Sequence, residues 1–130
     1  MSKVRELHDA AMQWAEKAMV ARKAMVARRQ NDKALIIDYS EKAFRLEAEA
    51  AALIPNEKAS EPTRSILYCS AASLALEAKC FKEAERLAIQ GLAGFPSQRI
   101  ENELKTIYEK VNYKSYARKN SNHFLLRRIY

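Results

Sequence analysis

Two histidines, His8 and His123, and two cysteines, Cys69 and Cys80, are the side chains of this 130-residue chain best suited to hold a metal or move a proton near neutral pH. His8, Met12 and Glu16 stand at four-residue steps, so a helix places them on one face, where they could in principle present a metal. No second histidine or cysteine stands beside them in sequence, and the spacing therefore predicts a partly exposed structural histidine and no metal. Cys69 and Cys80 are eleven residues apart, which matches no zinc or redox spacing; they read as small buried or half-buried residues. The only glycines, Gly91 and Gly94, sit together at the end of an apolar stripe and build no phosphate loop. A nucleophile–base–acid set is not visible at sequence level. The sequence thus predicts no catalysis and no cofactor, and the weight shifts to binding.

Charge is the second kind of chemistry available. The net charge is +7, unevenly spread: residues 1–30 carry seven Lys/Arg against three acids, and residues 113–130 carry five against none. Arg22, Lys23, Arg28 and Arg29 close the first helical stretch, where cations are favoured by the helix dipole alone. Lys114, Arg118, Lys119, Arg127 and Arg128 lie in the tail, interleaved with Tyr113, Tyr116, Phe124 and Tyr130. That mixture suits stacking on bases and neutralising phosphates, so nucleic acid is a candidate partner, as is an acidic protein.

The elements that must carry these residues are helical. Two glycines and three prolines in a chain that is 48% apolar favour helix throughout. Leu7, Ala11, Trp14, Ala18, Ala21 and Met25 alternate by fours and threes, and Leu35, Tyr39, Ala43, Leu46, Ala50 and Leu53 repeat the pattern after Asn31-Asp32. Ser60-Glu61-Pro62 opens a third helix, with Leu67, Ala71, Leu74, Ala75 and Ala78 facing inward and Ser60 as its cap. The period shifts at Lys79-Cys80, and Phe81, Ala84, Leu87, Ala88 and Gly91 make a fourth stripe. Ile100, Leu104, Ile107, Tyr108 and Val111 make a fifth.

The expected fold is all-α, an antiparallel α-hairpin array of about five helices in one domain over 1–112. It comprises a long hairpin at 2–55, a second hairpin at 61–94 and a helix at 97–112. The tail, 113–130, is expected to be weakly structured or to fold against something else. A charged start and few cysteines predict a cytoplasmic location, and no window approaches a membrane span. A broad apolar face with Met12, Met19, Met25 and Trp14 on the first helix makes a homo-oligomer a further possibility.

The segment from Ser65 to Pro96 resembles one tetratricopeptide repeat: Tyr68 falls on its large aromatic, Ala71 and Ala72 on its small pair, Ala84 and Gly91 on its second-helix small positions, and Pro96 on its closing proline. Ala75 and Ala88 stand where bulkier residues are usual. Residues 60–112 also resemble a group of short, functionally uncharacterised bacterial proteins. The repeat resemblance implies a partner-binding groove lined by the first helix of the hairpin, at Ile66, Cys69, Ser73, Leu76 and Glu77. These positions lack the cations of a carboxylate clamp and imply an apolar helix or peptide as the protein partner, unless a neighbouring helix or a second copy fills the groove.

Overall fold

The computed structural model describes residues 3–28 and 33–119, with the backbone alone at 27–28 and 114–119. Five α-helices carry the chain: α1 (Lys3–Arg28), α2 (Lys33–Ala52), α3 (Thr63–Glu77), α4 (Phe81–Leu92) and α5 (Gln98–Lys119). A short 3₁₀ turn at Lys58–Ser60 precedes α3, and the described residues contain no strand. Each helix packs on the next in sequence, and α3 also packs on α5. In the first hairpin the pairs His8–Glu47 and Trp14–Tyr39 set an antiparallel register. The odd-numbered helices share one surface and run the same way along it. Val4 and His8 lie beside Thr63 and Leu67, Arg22 lies beside Glu77, and Cys69 lies beside Glu103.

Small residues make this packing close. Ala50, Ala51, Ala71, Ala72, Ala75, Ala84 and Ala88 are completely buried in one core with Phe44, Leu87 and Leu104, and Ala11 and Ala43 are completely buried as well. Backbones can then approach where side chains of larger volume would hold them apart. At Gly91 a Cβ would lie 3.0 Å from Leu104 Cδ1 and 3.1 Å from Tyr68 Cβ, so the missing side chain lets α4 touch α3 and α5 together. Gly94 serves a different neighbour. A Cβ there would run into the guanidinium of Arg64, which is only 6% exposed, stacks over Tyr68 and leaves Nε and Nη1 without a hydrogen-bond partner.

Helix ends follow local chemistry. Ala78 closes α3, and Lys79 takes a left-handed φ of 64°. The Cys80 amide then donates to the Ala75 carbonyl at 2.9 Å and the Lys79 amide to that of Leu76 at 3.1 Å, a Schellman arrangement in which glycine is the usual residue at 79. Ser97 caps α5, its Oγ accepting from the Ile100 amide at 3.3 Å.

Three expectations are corrected. Pro62, not Ser60, is the N-cap residue of α3, and the side chain that serves the helix start is that of Glu61: its carboxylate accepts from the Ser65 amide at 2.9 Å and the Ser65 hydroxyl at 2.8 Å, and from the Phe95 amide at 3.1 Å. A carboxylate with two oxygens reaches both the helix start and the α4–α5 turn, which a serine hydroxyl could not. The inner face of α2 is rotated from the apolar stripe: Ile36, Ser40, Ala43, Phe44, Glu47, Ala50 and Ala51 are buried, whereas Leu35 and Leu53 are about half exposed. Because α2 lies between α1 and α3, it buries a wider arc than its apolar residues mark. Finally, α5 continues to Lys119, beyond the expected end at 112. Neither glycine nor proline follows Ser97, and Lys, Ala and Arg are good helix formers, so nothing local ends the helix where its apolar stripe does. Residues 120–130, with His123, Arg127 and Arg128, lie outside the described residues.

Candidate functional site

The surface shared by α1, α3 and α5 carries two depressions separated by α3. Between α3 and α5 lies a groove of about 580 Å³ bordered by Ile66, Cys69 and Ser73 on one side and Arg99, Glu103 and Lys110 on the other. Between α1 and α3 lies a second, of about 430 Å³, bordered by Val4, Arg5, His8, Thr63, Ile66 and Leu67. Both volumes fall within the range of small-ligand and side-chain pockets. Ile66 borders both and is 42% exposed, an apolar ridge on a surface otherwise rimmed by charge.

Of the five groove positions expected on α3, Ile66, Cys69 and Ser73 come together along the α5 groove. The other two part from them. Leu76 is partly buried against the core, and Glu77 pairs with Arg22 of α1 at 3.2 Å. The repeat resemblance that implied all five does not specify the neighbours here: α5 flanks the first three, and α1 flanks the last.

Cys69 is buried beneath the groove and donates its Sγ–H to Glu103 Oε2 at 3.4 Å. Burial pushes its thiol up to about 12, aided by that hydrogen bond and by the carboxylate charge of Glu103, so it stays protonated and a poor nucleophile. Cys80 is shifted the same way, by burial first and then by the charges of Glu41 and Glu83. Both thiols are free.

The residue that the sequence concealed is Glu47. Its carboxylate has no solvent exposure, yet it sits on α2 amid Ala43, Ala48, Ala50 and Ala51. Its partner is His8, whose Nδ1 lies 2.8 Å from Oε1 and 3.1 Å from Oε2. The His8 side chain is 41% exposed, so a carboxylate inside the array is tied to an imidazole at the rim of the α1–α3 depression. A buried carboxylate is costly unless paired, so the His8–Glu47 link offsets that cost as the first hairpin closes. Met12 and Glu16, which share a helical face with His8, take no part in it. Among the described residues no three His, Cys, Asp or Glu side chains gather closely enough to hold a metal ion.

The candidate anion-binding residues are divided. Arg22 and Lys23 are described, Arg22 at the α1–α3 contact and Lys23 exposed. The side chains of Arg28, Arg29, Lys114, Arg118, Lys119, Arg127 and Arg128 lie outside the described residues. No described helix is long and apolar enough to cross a membrane.

Comparison with family models, with curated proteins and with solved structures returned no similar chain. The reading of function therefore rests on the surface itself.

Proposed function

We propose that this chain is a non-catalytic interaction module, an adaptor or scaffold built from tetratricopeptide-like hairpins, that seats a helix or peptide of a protein partner on the α1–α3–α5 surface. The observation that carries the reading is Ile66: a large apolar side chain, 42% exposed, standing between two depressions with Val4, Leu67 and Ile107 in their walls. An amphipathic segment laid across α3 would cover Ile66 and place side chains in both depressions, which is how helix-in-groove recognition distributes its anchors. The polar rim of Arg5, Arg99, Glu103 and Lys110 would then set orientation.

A photo-crosslinking amino acid at position 66, with a control at the exposed Lys82 of α4, tests the site in cells. The expected result is a discrete adduct from position 66 alone, lost when Arg99→Glu is added to the same chain. Equal adducts from 66 and 82, or an Ile66→Glu variant that is folded and captures the same proteins, would refute it.

A further inference from the structure

A third depression, away from the Ile66 surface, lies where the C-terminal half of α1, the start of α2 and the α3–α4 turn meet. It has a volume of about 510 Å³ and is bordered by Arg22, Lys33, Ile36, Ile37, Glu77 and Lys79. Three cations from three separate elements thus face one space over two isoleucines, of which Ile36 is buried. The single acid among them, Glu77, is occupied by Arg22 at 3.2 Å. The side chains of Lys33 and Lys79 make no ion pair or hydrogen bond among the described residues. Lys42, Arg45, Arg99 and Lys105 each pair with an acid one turn away on their own helix. In this depression the pairing of Arg22 with Glu77 leaves two ammonium groups bordering the same space.

Lys79 adds a second peculiarity. It holds the left-handed C-terminal position of α3, where glycine would close the turn at lower conformational cost. A lysine there supplies no packing to offset that cost, being exposed, and what it does supply is a charge at the mouth of the depression.

From this arrangement we infer that the Arg22–Lys33–Lys79 depression is a binding site for a phosphate-bearing small molecule, its phosphate held by Lys33 and Lys79 and its apolar part set on Ile36 and Ile37. Arg22 is oriented by Glu77 and completes the positive rim. Compact ammonium groups on flexible stems suit a phosphate as point charges, without demanding one fixed geometry. The site is independent of the Ile66 surface, and neither proposal depends on the other.

The test is calorimetric titration of the full-length protein with inorganic pyrophosphate at low salt, repeated with Lys33→Gln, Lys79→Gly and, as a control, Lys82→Gln on α4. Saturable one-to-one binding is expected, weakened about tenfold by each of the first two changes and unaltered by the third. Lys79→Gly keeps the turn, so its loss of binding cannot be ascribed to unfolding. Absence of saturable binding, or an equal loss in Lys82→Gln, overturns the proposal. So does binding of an unphosphorylated oligonucleotide at the same residues when pyrophosphate does not bind.

Discussion

Replacing His8 by alanine removes the hydrogen-bond partner of the fully buried Glu47 carboxylate. The substitution leaves the Glu47 carboxylate with no solvent exposure and without its imidazole partner. Removing one member of a fully buried pair costs about 3–5 kcal/mol. Because the His8 side chain is itself 41% exposed, water can enter the vacated space and solvate one carboxylate oxygen, which lowers the expected loss to about 2–3 kcal/mol. Glu47→Met removes the charge while keeping the volume, so adding it to His8→Ala should recover stability to within about 1 kcal/mol of the parent. Urea unfolding at pH 7, followed by circular dichroism, reads these differences as shifts in midpoint at constant slope. In a melt the single variant should fall by about 6–9 °C. The reasoning fails if His8→Ala lies within about 0.5 kcal/mol of the parent. It fails equally if the double variant is no more stable than the single.

Leu104→Ala, at a fully buried site touched by α4, should cost about 2–5 kcal/mol in the same urea assay. Gly91→Val forces a branched side chain against Leu104 and Tyr68, 3.0–3.1 Å away, and should cost about 2 kcal/mol; an unchanged midpoint would mean that α4 is not closely packed. Alkylation of the native protein at pH 8 should be about a thousandfold slower at Cys69 than at an unperturbed thiol, and its rate should climb about tenfold per pH unit up to pH 10. Mass spectrometry of timed digests checks it, and rapid labelling of Cys69 at pH 8 would show that its burial is transient.

The helices were readable because apolar residues recur at helical spacing and the punctuation is local. Lys79-Cys80 and Pro96-Ser97 mark turns in their own sequence, and the structure places the α3–α4 and α4–α5 breaks there. What stayed hidden depends on distant partners. Glu47 and Ser40 look like solvent-facing residues until α1 and α3 close over α2, and the histidine that accounts for Glu47 is 39 positions away. Glu61, not Ser60, serves the start of α3, and it also reaches Phe95, 34 residues on. The groove was legible only in part: Ile66, Cys69 and Ser73 share it, while Arg22 draws Glu77 towards another neighbour. Periodicity along one helix reports which residues share a face, and it carries no record of which other helix arrives there.

The order of packing, each helix on its successor with α3 also touching α5, has a consequence in time. Contacts made between neighbouring segments require the closure of short loops only, so the entropic barrier to assembly is low and folding should proceed in microseconds to milliseconds. The same arrangement makes the ends the easiest parts to open: α1 is held principally by α2, whereas α3 is held by α2, α4 and α5 together. Amide exchange should accordingly be slowest along α3 and fastest in α1, and faster still across the first hairpin in His8→Ala.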